Sequence, residues 1–508
     1  MKLTRILLSL TLCLLLIPAM RSPAEEPKVD KKSEDKNAEK PPIITEHDVT
    51  IGGAAIHYRA TTGLMPLLDD YGKSKASIFY IAYEKLERNG DVWVKPANRP
   101  VTYTFNGGPG SSSVWLHLGA IGPRRVVFGD EGQAPTPPGV LADNEYSWLD
   151  LTDLVFIDPV STGYSRAAEG EDAGRFHGLN EDARAVADFI RLWTTRNDRW
   201  LSPKFLAGES YGTTRAAALS GELQERLGMY LNGITLISMV LNFQTLSFDQ
   251  GNDEAYWLFL PTYTATAFYH KKLAPPLDQN FEKTLDQARE FAEGEYLLAL
   301  AKGDQLSEAE RGAIADKLSK FTGLSRDFIL RSDLRVPIFA FTKELLRDQG
   351  RTVGRLDSRY KGYDRDETSK SSEYDPSYSV ILGPFTAALN AYIREELKYE
   401  SDVNYEILTG RVHPWKFPSD SSYPDVSETL ATAIRRNPDL RVSIECGYFD
   451  LATPFFASEY TVNHMDLPKE LRKNIRKNYY KSGHMMYIRK EDLAALKENA
   501  RKFYSRVP

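Results

Sequence analysis

The sequence predicts an α/β fold: a central sheet of parallel strands covered by helices on both faces, with a large, mostly helical lid inserted into it. Three observations carry this. From Val101 to Met239 short apolar runs alternate with helical patterns, the order that builds a parallel sheet. From about Asn242 to Glu400 the alternation stops, and the chain becomes rich in aromatic and charged residues. It resumes at Leu440 and continues to the end. A chain of 508 residues is too long for one simple core, so two compact units or one core with a large insertion is expected.

The N-terminus comes first. Lys2 and Arg5 precede an apolar run from Ile6 to Ile17, and Ser22-Pro23-Ala24 supplies small residues for a cut after Ala24. This is the pattern of a signal peptide over 1–24, with an uncleaved anchor as the alternative. The tract from Glu25 to Pro42 is rich in Lys, Glu and Asp and poor in apolar residues. It buries too little surface to fold, so 25–45 is expected to be a disordered tether. The first part of the core is assigned to 46–241, the lid to 242–405 and the second part of the core to 406–508.

Within the core, Val49 to Arg59 and Ala76 to Glu84 carry β-branched and aromatic residues near period two, with Ile78, Tyr80 and Ala82 on one face. Val101 to Phe105 is a strand that runs into the glycine-rich turn Asn106-Gly107-Gly108-Pro109-Gly110. Leu154 to Ile157 is a short buried-type strand. Asn180 is placed to cap the next helix, in which Val186, Phe189, Ile190 and Trp193 share a face. Gly233 to Met239 is a further strand. The lid reads as helices, among them Leu277 to Leu300 and Ser307 to Phe321. Strands at Leu440 to Cys446 and Ile475 to Tyr480, then a helix from Lys490 to Tyr504, close the chain.

Composition excludes some functions. A net charge of −6 and the lack of a basic stripe argue against nucleic acid as a partner. The glycine-rich turn lacks the Lys-Ser/Thr ending of a phosphate loop. No cofactor and no metal is expected. Of two cysteines, Cys13 leaves with the signal peptide, and Cys446 sits in an apolar run as a small buried hydrophobe.

The chemistry is concentrated in Lys204-Phe205-Leu206-Ala207-Gly208-Glu209-Ser210-Tyr211-Gly212. An apolar run, a Gly-x-Ser-x-Gly turn and an Ala-rich segment read as strand, sharp turn and helix. Such a turn presents its serine above the sheet, with the helix N-terminus behind it. A serine nucleophile needs a base and an orienting acid. His484 follows a strand end on a glycine-containing loop, and Asp450 stands just after the strand ending at Cys446. Asp425 and Asp466 follow no such strand end, and Asp439 precedes one. The order Ser210, Asp450, His484 is that of an α/β-hydrolase sheet.

Asn106-Gly-Gly-Pro-Gly-Ser-Ser, Asp158-Pro-Val-Ser-Thr-Gly-Tyr-Ser, Gly208-Glu-Ser-Tyr-Gly, the Gly447-x-x-Asp450 turn and Gly483-His484-Met485 together resemble the serine carboxypeptidase family. The resemblance implies an α/β-hydrolase core with an inserted cap and removal of C-terminal residues from peptides. It implies Ser210 as nucleophile, His484 as base and Asp450 as its partner. Gly108 and Tyr211 would supply the oxyanion-hole N–H groups, and Asn106, Gly107 and Glu209 would bind the substrate's terminal carboxylate. There are departures: Ser111 stands where the family often has a disulfide cysteine, Thr104 replaces a typical tryptophan, and Ala120 replaces the glutamate that usually shares a proton with Glu209. Arg124 or Arg125 is a candidate substitute. Peptides with a free C-terminus are the expected partners, with export after signal cleavage and no membrane attachment thereafter. An esterase or acyltransferase on the same triad is the alternative, and a catalytically silent binding protein a third reading.

Overall fold

Among the described residues of this computed structural model, 40–418 and 423–505, a ten-stranded sheet forms the centre. Nine strands lie along one path: β1 (Ile43–Ile51), β2 (Ala54–Leu68), β3 (Ser74–Lys85), β4 (Val101–Phe105), β5 (Asp153–Ile157), β6 (Lys204–Glu209), β7 (Gly233–Ile237), β8 (Arg441–Gly447) and β9 (Ile475–Tyr480). Their order across the sheet is β1-β2-β3-β5-β4-β6-β7-β8-β9, and the short strand Arg166–Ala167 pairs with β3 off this path. Pairing is parallel from β5 to β9 and antiparallel among β1, β2, β3 and β5. The sheet is therefore mixed where a parallel one was expected, because its first three strands return through short turns instead of crossover helices.

The alternation of β3 divides the core. Ile78, Tyr80 and Ala82 join one apolar cluster, Phe79, Ile81 and Tyr83 the other, as period-two side chains must on a sheet covered on both sides. Helix α1 (Leu179–Arg196) buries Val186, Phe189, Ile190 and Trp193 in the first cluster. Between β7 and β8 the chain forms α3 (Glu254–Tyr269), α4 (Phe281–Phe291), α5 (Glu308–Thr322) and α6 (Pro376–Glu395), after α2 (Tyr211–Gly221) and before the closing α7 (Lys490–Tyr504). Leu258 and Leu260 of α3 join the first cluster, Phe385 and Leu389 of α6 the second. The inserted helices thus share both apolar clusters with the sheet.

Four local expectations are corrected. The strand expected from Val49 to Arg59 is a hairpin. It turns at Gly52 and Gly53, whose φ values of 56° and 84° suit glycine; period two runs on across the turn and hides it. Ile43–Thr45, expected in the tether, pair with Thr62–Ala60 in β1 and β2. Asn180 lies inside α1, whose cap position is Gly178, and Glu181 and Asp182 supply the acidic first turn. The helix expected from Leu277 starts at Phe281, where the Asn280 side chain accepts from the Lys283 N–H at 2.9 Å, and it passes through a wider turn at Ala292–Tyr296. The expected signal peptide and the tether up to residue 39 lie outside the described residues.

Candidate active site

Strand β6 ends at Glu209 and α2 begins at Tyr211, leaving Ser210 between them at φ 59° and ψ −130°. A non-glycine residue there is strained and persists only when its surroundings hold it. They do: the Ser210 N–H donates to Ile237 O at 3.0 Å, and the Thr213 N–H and Oγ1 donate to Ser210 O at 2.8 and 2.7 Å. The flanking glycines are required by space. A Cβ on Gly208 would stand 2.2 Å from Gly212 O, and one on Gly212 2.9 Å from Phe105 O. The Ser210 hydroxyl is half-buried and has no hydrogen-bond partner among the described residues.

Asp450 follows β8 and His484 follows β9, so both sit beyond the carboxyl ends of their strands, as Ser210 does. Asp450 is fully buried. Its Oδ1 accepts from the N–H groups of Ala452 and Thr453 at 2.8 and 2.9 Å. Its Oδ2 accepts from Thr453 Oγ1 at 2.7 Å and lies 2.7 Å from His484 Nδ1. That contact puts the Nδ1 proton toward Asp450 and leaves Nε2 as the basic nitrogen. Burial alone would lower the His484 pKa, but the Asp450 charge and hydrogen bond, with Glu209 nearby, outweigh it and raise the pKa above 6.5. Asp425 instead accepts from the Ser427 N–H at 2.8 Å.

The loop after β4 is pressed against this turn. A Cβ on Gly107 would stand 2.5 Å from Tyr211 N and 2.7 Å from Gly212 N. Gly108 has φ 102°. The N–H groups of Gly108 and Tyr211 donate to no protein acceptor among the described residues. Two free donors beside a serine at a helix N-terminus are suited to a developing oxyanion. Asn106 is held from two sides: its Oδ1 accepts from the Leu116 N–H at 3.0 Å, and its carbonyl accepts from Arg215, a buried arginine also bonded to Asp182 at 2.6 Å. Asn106 Nδ2 is buried and makes no regular hydrogen bond among the described residues, though the Asn106 side chain lies close enough to Glu209 to favour its ionised form.

Glu209, 3% exposed, accepts from the Tyr487 hydroxyl at 2.5 Å. Burial raises its pKa from 4.5 to about 7, against smaller lowering effects of His484 and the Tyr487 hydrogen bond. Sequence reasoning missed Tyr487, which packs so closely on the Ala120 stretch that a Cβ on Gly119 would stand 2.4 Å from its ring. A phenol thus meets Glu209 beside the stretch where the family has a second carboxyl. Arg124 pairs with Asp143 and Glu396, and neither it nor Arg125 lines the cavity at Ser210.

Sequence reasoning also missed a strap from the insertion. Arg355 O accepts from the Leu451 N–H at 3.1 Å, and Leu356 O accepts from the His484 N–H at 2.7 Å. Asp357 Oδ2 accepts from the Gly483 N–H at 3.0 Å, and the Ser358 N–H donates to Phe449 O at 3.0 Å. Four consecutive residues therefore tie down both the Asp450 and the His484 loops. No local pattern marks them in the sequence. Ser210, His484, Glu209, Asn106 and Gly108, with Arg355, line one cavity of about 600 Å³. Among the described residues no group of three or more His, Cys, Asp or Glu side chains is placed to hold a metal ion.

A family model described as serine carboxypeptidase matches residues 56–498. The chain belongs to the serine carboxypeptidase family. Serine carboxypeptidase-like 46 of Arabidopsis thaliana is 27% identical to this serine carboxypeptidase family member over 184 residues, 35% of each chain. Serine carboxypeptidase-like 19 of the same plant is 32% identical over 142 residues, 26% of this chain and 27% of that one. The chain thus spans about a third of the length of the curated relatives it matches. A solved structure of Kex1(delta)p, a prohormone-processing carboxypeptidase from Saccharomyces cerevisiae, covers 88% of this family member and 91% of its own chain. Its TM-score is 0.53 at 18% identity, a likeness of fold. Among the described residues no helix is long and apolar enough to cross a membrane.

Proposed function

We propose that this protein is an exported serine carboxypeptidase that releases C-terminal residues from peptides through an acyl-enzyme on Ser210. The observation that carries the reading is the 2.7 Å contact of His484 Nδ1 with Asp450, on neighbouring strand ends, with His484 and the strained Ser210 lining one cavity. Ser210 Oγ attacks the carbonyl carbon of the last peptide bond while His484 Nε2 takes its proton, and the imidazolium then protonates the leaving amine. Asp450 holds the tautomer and stabilises the imidazolium. The N–H groups of Gly108 and Tyr211 receive the oxyanion. A water activated by His484 then cleaves the acyl-enzyme.

In this reading Asn106, Gly107 and Glu209 receive the terminal carboxylate. The neutral Glu209 donates to it, and Asn106 Nδ2, which makes no regular hydrogen bond among the described residues, is a ready donor. The segment 242–405 acts as a lid over the cavity, and residues 1–24 direct export, so that the mature chain starts at Glu25. Incubating the mature protein with a mixed peptide library, and reading product ends by mass spectrometry, tests the reading. Loss of single C-terminal residues supports it; internal cuts or intact peptides refute it. One observation favours ester hydrolysis or acyl transfer as a second reading: Ala120 leaves Glu209 with a phenol partner instead of a carboxyl. Cleavage of esters without cleavage of matched peptides would select it.

A further inference from the structure

We propose that Arg355 is a substrate-binding residue that receives a carboxylate of the peptide in the cavity beside Ser210, which rests on the peptidase reading above. Arg355 is the one lysine or arginine among the described residues lining that cavity. It is half-buried, yet its guanidinium makes no hydrogen bond and no ion pair among the described residues. The buried arginines among the described residues are all engaged: Arg199 with Asp153 at 2.7 Å, Arg215 with Asp182 at 2.6 Å and Arg359 with Asp357 at 2.6 Å. A cation drawn into a cavity without a counterion is costly, and a ligand anion removes that cost.

The base of the side chain is rigid. The Arg355 N–H donates to Asp375 Oδ1 at 3.0 Å, and its carbonyl accepts from the Leu451 N–H at 3.1 Å. The next residue holds His484. Asp375 also lines the cavity, but its oxygens are occupied by other donors: Oδ1 by the Ser377 N–H and hydroxyl as well as Arg355 N–H, Oδ2 by the Leu356 N–H. It makes no ion pair with Arg355. A pre-positioned fork of N–H donors matches the two oxygens of a carboxylate. A peptide brings such a group beside the scissile bond in two ways: the terminal α-carboxylate, or the side chain of an aspartate or glutamate. Either would supply a charge contact that Ala120 cannot.

The test compares wild type with Arg355→Met and Arg355→Lys on matched N-acylated dipeptides with Glu or Gln at each position, and on an N-acyl amino-acid ester without a carboxylate. In Arg355→Met, kcat/KM for carboxylate-bearing substrates is expected to fall about 100-fold relative to the ester, and in Arg355→Lys about 10-fold. A fall on every free-acid peptide assigns the terminal carboxylate; a fall confined to the Glu peptides assigns the side chain. Equal losses on all substrates, ester included, or no loss on any, would overturn the proposal. A second readout needs no turnover. Hydrocinnamate should protect Ser210 from a fluorophosphonate probe about 30-fold better than hydrocinnamamide, and, where the terminal carboxylate is the ligand, most of that advantage should be lost in Arg355→Met. Should wild type cleave no peptide and still show this Arg355-dependent difference, the peptidase reading falls and the carboxylate site stands. The opposite pattern separates them the other way. If Arg355→Met does not fold, the lysine variant decides through both readouts.

Discussion

Replacing Glu209 with glutamine should change how stability depends on pH. Burial holds the carboxyl at about 7 against an ordinary 4.5, and at about 1.4 kcal/mol per tenfold change in proton affinity this is about 3 kcal/mol. A carboxyl that binds its proton more tightly in the folded protein stabilises the fold fully below pH ~4.5. It loses that contribution as pH rises through about 7. Glutamine does not titrate, and its carbonyl still accepts from Tyr487. Glu209→Gln should therefore match wild type within about 1 kcal/mol at pH 4 and exceed it by about 3 kcal/mol at pH 8. Urea unfolding of both proteins at both pH values reads the difference of differences, in which titrating groups remote from Glu209 cancel. The same gap at pH 4 and pH 8 would refute the reasoning. In kinetics, KM for a free-acid peptide should rise in wild type as pH passes about 7, when ionised Glu209 repels the substrate carboxylate. This limb should be flat in Glu209→Gln and absent for an ester without a carboxylate.

Ser210→Ala and His484→Ala should each reduce kcat by about 10⁶-fold with folding intact, whereas Asp450→Asn should cost about 10⁴-fold, measured on a peptide under saturating conditions. Full activity in either alanine variant removes the triad. The Tyr487 hydrogen bond favours the ionised Glu209, so Tyr487→Phe should move the alkaline limb of KM to higher pH; a shift to lower pH contradicts that assignment. On the acid side, kcat/KM should fall as pH drops through the raised pKa of His484, above 6.5, and a profile flat to pH 5 would show that His484 is not the base. N-terminal sequencing of exported protein should begin at Glu25, and a start at Met1 would exclude signal cleavage.

The sequence made the strand ends legible because their chemistry is local. Val101–Phe105 and Ile475–Tyr480 are bounded by glycine-rich and Lys-Ser-Gly turns, and both strands stand where they were expected. Gly208 and Gly212 announce a turn that only glycine fits. The hairpin at Gly52 was hidden because apolar alternation does not register a reversal of direction. Tyr487 carries one faint signal, its place three residues beyond His484, in the short helical turn Met486–Ile488 that follows it. Arg355 to Ser358 carry none: the strap meets the His484 loop through the Leu356 carbonyl and a single Asp357 carboxylate, and neither forms a pattern along the chain. The departure at Ala120 could be read from spacing. The group that meets Glu209 there could not, since it arrives from the opposite end of the chain.

The strap also bears on how this molecule can be divided. The N–H of His484 and that of its neighbour Gly483 end on Leu356 and Asp357, deep within the insertion between β7 and β8. A trimmed core would keep its strands and the serine turn yet lose the anchor of the histidine loop. Grafting a foreign insertion would need these four residues kept in register, whatever else it changed. The unit to keep when the insertion is exchanged is therefore the sheet together with its strap and Asp375, whose carboxylate holds the N–H groups of Arg355 and Leu356.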